Sequence, residues 1–526
     1  MPEKKSVKFL DCTLRDGGYY TDWDFNKSLT EDYFSAVNQL PIDYIQVGYR
    51  SKPLDGYYGE YFYLPEATTE RLRQQVNQAK VAVMLDEKNV TPELAVELLR
   101  PCQGWCSMVR FACKPDRISS MAAYIDPLKE MGFEVAINMM YLSKVDIDSR
   151  LKADLKVLNN RADYFYLVDS YGGLYPQDLR TKMAQIREVL DVPVGYHGHN
   201  NLEMALINTI TAIEEGAAIV DATLTGMGRG AGNLKTELFL TWLNSQQGIE
   251  VDNNALGTIV QKFYDLKEKY NWGTSYPYMV SGAWSLPQAD VMNWITKNRY
   301  SVESIIQALN NKKDNVLDNQ RFDIFEHKSL TNSNLKRSIL IGGGQSVVQH
   351  QQQILDFLNR NQDVVAIFSS SRNLHLFADI QNPSVLCLVG DEGSKLEKRV
   401  ENTQLEKIQT VILPPYPRTM GSNIPNHFHD KTFELNAISF TEKYTDSPLA
   451  IGLQTMLDLA TEVNYLVGFD GYTEADGQKV LLNEENQFVI NAFLQQQSLI
   501  ALTPTKYSGV TEKSIYAPGE QTFLSV

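Results

Sequence analysis

The chain has 526 residues, 43% hydrophobic and 21% charged, enough apolar material for a large core and too much for disorder, collagen or coiled coil as its main state. Lys and Arg total 49 against 64 Asp and Glu, a net charge of −15 that argues against a broad nucleic-acid interface. No stretch approaches the roughly 18 apolar residues of a membrane span, no signal-peptide pattern opens the chain, and five cysteines lack metal spacing, so a soluble cytoplasmic protein acting on something small is expected.

Short β-branched or aromatic runs recur through the first 240 or so residues. Strands are expected at Val7–Cys12, Tyr44–Gly48, Lys80–Asp86, Met108–Ala112, Glu134–Met139, Tyr164–Asp169, Val194–His197 and Ala218–Thr223. Segments of helical period lie between them, and Thr91-Pro92-Glu93 is a helix start, with a capping Thr and Pro at the first helical position. Eight strands each followed by a helix predict an α/β fold, a (β/α)8 TIM barrel over residues 1–250. Residues 251–310 read as a helical extension and 311–336 as a polar linker. Residues 337–526 read as a second, Rossmann-like α/β domain, with strands in Ser338–Ile341, Val364–Phe368, Val385–Gly390, Thr410–Leu413 and Tyr465–Gly468.

Polar residues gather at the ends of the barrel strands, where such barrels hold their active sites: Asp11, Arg15 and Asp16, Gln46, Arg110, Asn138, Asp169 and Ser170, His197 and His199. After strand one, Asp11-Cys-Thr-Leu-Arg15-Asp16-Gly17-Gly18 combines a cation, two anions and a Gly pair that is expected to turn the backbone sharply. In His197-Gly-His199-Asn200 the two imidazoles stand two apart, so on a strand they face one way and can chelate one ion. A carboxylate from strand one is the natural third ligand, and such a set suits Mn²⁺, Mg²⁺, Co²⁺ or Zn²⁺. Gly226-Met-Gly-Arg-Gly-Ala-Gly-Asn233 is a loop whose backbone can approach a ligand, with Asn233 able to add a carbonyl oxygen. Arg110 is a candidate for a substrate carboxylate, with Asp169 and Ser170 beside it.

These three motifs, in this order, resemble the DRE-TIM metallolyases, the HMG-CoA-lyase-like superfamily, over about residues 5–300. Within it the chain is most similar to the 4-hydroxy-2-oxovalerate aldolases. The resemblance implies a divalent metal, Mn²⁺ or Mg²⁺ first, held by Asp16, His197, His199 and, in some branches, Asn233, with Arg15 stabilising an enolate. It implies a small 2-oxo acid and an aldehyde as reactants, a homo-oligomer, and a partner enzyme that consumes the aldehyde. In that branch a catalytic His stands three positions after the motif Asp; here the position is Tyr19, followed by Tyr20, and Gln46 stands where relatives often carry Glu. A Claisen-type condensing enzyme and a non-catalytic binding module are the alternatives.

In the second domain, Gly342-Gly-Gly344-Gln-Ser346 between a strand and a helix is a candidate loop for a nucleotide-like ligand, through Gly342, Gly344 and Ser346, without full dinucleotide spacing. With Val467-Gly-Phe-Asp470-Gly it faintly resembles the 6-hydroxymethylpterin pyrophosphokinase-like group. His427-Phe-His429 repeats the His spacing within a surface loop.

Overall fold

The computed structural model describes residues 7–297, 300–316, 320–326, 330, 335–390, 392–399, 408–472 and 477–517. Two compact units divide the chain, Met1–Met292 and Asn293–Val526, so the division falls inside the segment read as a helical extension.

The first unit is a closed barrel of eight parallel strands in sequence order. These are β1 (Lys8–Asp11), β2 (Tyr44–Tyr49), β3 (Lys80–Asp86), β4 (Cys106–Cys113), β5 (Glu134–Met139), β6 (Tyr164–Asp169), β7 (Val194–Gly198) and β8 (Ile219–Ala222). β8 closes on β1, with Val220 opposite Phe9. Each strand is buried on both faces, so its residues are apolar in near-continuous runs. Alternation along the strand still sorts them. Leu10, Tyr44, Ala82, Met108, Ala136, Tyr166 and Ile219 fill the barrel interior. Their neighbours Phe9, Ile45, Val83, Val109, Ile137, Phe165 and Val220 pack outward under the helices. Gln46, Arg110, Asn138, His197 and Asp221 have the inward parity and are all buried.

Three helices follow the barrel, Asn253–Tyr270, Tyr276–Ala283 and Gln288–Lys297. The Thr91 hydroxyl caps helix Pro92–Leu99 by accepting from the Leu94 N–H, as its sequence predicts. The Gly17–Gly18 pair does not turn the backbone: both lie inside helix Thr13–Thr21. A Cβ on Gly17 would stand 2.5 Å from Met227 Sδ and one on Gly18 2.1 Å from the Trp23 indole, so the glycines serve close packing.

The second unit is an eight-stranded parallel sheet. Its strands are β9 (Arg337–Ile341), β10 (Val364–Phe368), β11 (Ser384–Cys387), β12 (Thr410–Leu413), β13 (Thr432–Glu434), β14 (Val463–Val467), β15 (Ile500–Ala501) and β16 (Thr511–Glu512). Their order, β13-β12-β11-β10-β9-β14-β15-β16, reverses direction between β9 and β14. The sequence shows five of the eight; β13, β15 and β16 are too short to leave a pattern. Residues 311–336 are not a plain linker. Helix Val302–Asp314 runs into them, and Phe325 and Leu330 are buried in this unit's core, Phe325 donating its N–H to the Glu434 carbonyl at 2.8 Å. Spaced among polar residues, those two side chains are easily overlooked. Among the described residues no helix is long and apolar enough to cross a membrane.

Candidate functional site

Asp16 reaches the barrel mouth from helix Thr13–Thr21, one turn beyond β1. Burial works against its charge, yet the Arg15 guanidinium on one of its oxygens, with His197 and His199 nearby, holds the carboxyl below its ordinary value. Its other oxygen, Oδ2, accepts from Asn233 Nδ2 at 2.8 Å and lies 3.7 Å from His197 Nε2. Asp11, the other carboxylate of the motif, has outward parity. It accepts from Tyr33, Thr13 and Thr236 and has a structural place.

Both histidines are anchored through Nδ1. His197 donates to Asp221 Oδ2 at 2.9 Å, and His199 donates to the Asp169 carbonyl at 2.9 Å. Each therefore keeps Nε2 for a ligand, with the ring orientation set from behind. Burial pushes the His199 pKa down to about 3, so its ring is neutral, as a metal ligand must be. Asn233 comes from the glycine-rich loop after β8; at Gly228 a Cβ would stand 2.6 Å from Asn233 Nδ2, so the loop closes over it only as glycine. Asn233 Oδ1 is buried with no hydrogen-bond partner. Two imidazoles with Nε2 left open, a carboxylate and an orphaned carbonyl oxygen fit a divalent cation. The ligand atoms of Cys12, Asp16 and His197 all lie within 4.8 Å of one another. Burial pushes the Cys12 thiol well above its ordinary value, so it is a poor anionic ligand.

Arg15 is buried, its Nε donating to Gln46 Oε1 at 3.0 Å. The same oxygen accepts from Arg110 at 3.0 Å. Arg110, expected at a substrate carboxylate, is wholly buried beneath the mouth. It is paired with Asp221 at 2.5 Å and lies 4.1 Å over the Tyr166 ring, so it positions Asp221 instead. Asp169 also stands off the mouth, because it shares the outward parity of Phe165 and Leu167. Its carboxylate accepts from the Gly173 and Leu174 N–H groups and shapes the loop after β6; burial raises its pKa to about 6. Ser170 does line the mouth, where its hydroxyl accepts from the Tyr141 N–H at 2.9 Å.

The mouth is a cavity of about 870 Å³ that also takes in Arg15, Asp16, Tyr19, Tyr49, Asn138, His197, His199 and Arg229. Tyr19 lies beneath the Arg229 guanidinium, 4.0 Å from its ring centre, with its hydroxyl 3.3 Å from that of Tyr49. The Tyr20 hydroxyl donates to the Gly230 carbonyl. Sequence reasoning passed over Asp221 and Arg229. An acid inside a buried strand and the one charged residue of a glycine-rich loop are the signals that would have found them.

The second unit has its own cavity, about 620 Å³, at the carboxyl ends of β9, β10 and β14. Gly344, Ser369, Ser370, Arg372, Phe469 and Asp470 are among its lining residues. Ser346 is already engaged: its N–H donates to Asp470 Oδ2 at 2.9 Å and its hydroxyl bonds the other oxygen. Gly342 packs against the Gly468 backbone. His427 and His429 are exposed.

The HMGL-like family profile matches residues 6–268. A 4-hydroxy-2-oxovalerate aldolase from Geobacillus genomosp. 3 is 30% identical over 251 residues, 47% of this chain and 73% of that protein. One from Bacillus cereus (strain ATCC 10987 / NRS 248) is 29% identical over 254 residues, 47% of this chain and 72% of that protein. The crystal structure of the N-terminal domain of a Bacteroides vulgatus protein designated an aldolase is 49% identical, with a TM-score of 0.55, and covers 57% of this chain and 100% of its own. With a profile match across half its length and the same fold in a close relative, this chain belongs to the HMGL-like family.

Proposed function

We propose that the barrel is a divalent-metal-dependent aldolase or lyase that makes or breaks a carbon–carbon bond of a 2-oxo acid through a pyruvate-type enolate. One observation carries this reading: Asp16, His197 and Asn233 meet beside a buried Arg15 at the carboxyl end of the barrel, with the His199 ring 5.1 Å from that of His197. Relatives named 4-hydroxy-2-oxovalerate aldolase support a small 2-oxo acid and an aldehyde as the reactants. A bound divalent ion, manganese or magnesium before cobalt or zinc, would supply Lewis-acid polarisation of the oxo acid. Arg15, buried and held by Gln46, is a fixed positive partner for the enolate oxygen. Asn138 Oδ1, buried at the mouth without a partner, and the Ser170 hydroxyl are polar contacts available to the substrate. Tyr19, with Tyr49 behind it, takes the role of proton donor to the distal alkoxide.

The test is exchange of pyruvate methyl protons in D₂O, followed by NMR. Exchange that EDTA abolishes and Mn²⁺ restores is expected. A metal-loaded protein that exchanges nothing overturns the reading, and thiol release from acetyl-CoA with a 2-oxo acid points to condensation instead.

For the second unit we infer a separate cleft for a nucleotide-like ligand. Open parallel sheets take ligands where strand order reverses, and Arg372 lines that crevice. Because Asp470 engages Ser346, Arg372 rather than Ser346 is the residue for a phosphate. Calorimetric titration with ADP, UDP, GDP and CDP tests this; binding of none of them rejects it.

A further inference from the structure

The mouth cavity of about 870 Å³ lies in the range that takes drug-sized ligands, whereas pyruvate and a short aldehyde fill only part of it. Asp16, His197 and His199, the proposed metal ligands, are among its lining residues. The glycine-rich loop that supplies Asn233 also lines the cavity, and the charged side chain it presents there is Arg229, stacked on Tyr19.

That arginine is unusual among the cations around it. Arg15 is paired with Asp16, Lys88 with Asp86 at 3.0 Å and Arg117 with Glu87 at 2.7 Å. Among the described residues Arg229 has no carboxylate partner; its contact is the face of Tyr19, 4.0 Å away. Lys114 at the rim is also unpaired but exposed, as surface lysines usually are. Arg229 is half-buried, and its loop is fixed. The Gly230 carbonyl accepts from Tyr20 and from the Gly273 N–H, and the Ala231 N–H donates to Gln288. A guanidinium stacked on a ring keeps its plane and still has its five N–H donors directed outward, an arrangement suited to a carboxylate or phosphate.

We propose that the aldehyde partner of this reaction carries an anionic group, a phosphate or a carboxylate, and that Arg229 is the residue that grips it. The proposal rests on the aldolase reading for the word aldehyde, but not for the anion. Tyr19 then has two jobs. Its ring orients Arg229, and its hydroxyl, 3.3 Å from that of Tyr49 in the same cavity, serves as the proton donor. An uncharged two-carbon aldehyde would leave Arg229 without a partner and much of the cavity to water.

The test uses the full, metal-loaded chain and unreactive probes: sn-glycerol 3-phosphate, D-glycerate and glycerol, titrated by calorimetry. At least one charged probe is expected to bind tenfold or more tightly than glycerol. Arg229→Gln should remove that preference, and Arg229→Lys should retain part of it. The tighter of the two charged probes identifies the anion. Equal binding of charged and neutral probes overturns the proposal, as does charged-probe binding that survives Arg229→Gln or is lost instead with Arg372→Gln in the second unit. Pyruvate exchange by the wild-type protein separates the two conclusions. Exchange without charge preference rejects the anion alone, whereas Arg229-dependent binding without exchange rejects the aldolase and keeps the anion site.

Discussion

Asp221 holds His197 from behind, accepting from Nδ1 at 2.9 Å with the same oxygen that takes the Arg110 guanidinium at 2.5 Å. One buried carboxylate thus ties a candidate metal ligand to a buried cation. Asp221→Asn should weaken Mn²⁺ binding by about ten- to a hundred-fold, the usual effect of losing a ligand's outer partner. It should also leave Arg110 with an uncompensated charge, at about 3–5 kcal/mol of stability. Metal titration and urea unfolding read the two effects separately, and unchanged values in both would refute the arrangement.

The effect of removing the proposed ligands should be absolute. Purified Asp16→Asn and His197→Ala are expected to carry no divalent ion by elemental analysis. Full occupancy in either variant would exclude that residue from the site.

Arg15→Ala should keep the ion and lose pyruvate methyl exchange by about 10²–10³-fold, the scale of one lost electrostatic contact to a developing oxyanion. Wild-type exchange in this variant would give the enolate role to another group.

Tyr19→Phe should slow aldol cleavage by about 10²–10⁴-fold, the range for loss of a general acid. Exchange into pyruvate needs no proton at the distal hydroxyl and should be spared. Equal loss of both activities, or of neither, would make Tyr19 a packing residue beneath Arg229.

A chain truncated after Lys297 should fold and keep the metal, since the first unit ends near there and a relative's N-terminal domain crystallised alone. A chain ending at Thr331 should be the less soluble of the two, because it carries Phe325 and Leu330 without the core that covers them. Circular dichroism and sedimentation of the two proteins check the contrast.

The barrel was legible because each strand is a compact apolar run between helical segments, and the pattern repeats eight times. The pairing of the two rings was legible in His197-Gly-His199, whose ring centres lie 5.1 Å apart, because alternation along the strand puts both on one side. The same alternation, carried further, separates Arg110 from the mouth by depth and Asp169 by parity. What the sequence withheld was pairing. Nothing local to Arg110 says that Asp221, 111 residues away, meets its charge, and nothing local to Ser346 says that Asp470 reaches it. The Gly17–Gly18 pair misled for a related reason, since the space it leaves is filled by Met227 and Trp23 from outside the motif.

The barrel's closure has a consequence of its own. Asp16 follows β1 and Asn233 follows β8, so the hydrogen bond between them spans the seam where first strand meets last, 217 residues apart in the chain. A cation held there with His197, as proposed, would fasten that seam. A chain still lacking β8 has only part of the proposed binding set, so the ion's affinity would be gained at the step that shuts the ring. Its binding then adds directly to the free energy of the closed state, in proportion to the logarithm of free metal over its dissociation constant. An ion bound as proposed would therefore add to the stability of the closed barrel as well as supply its chemistry.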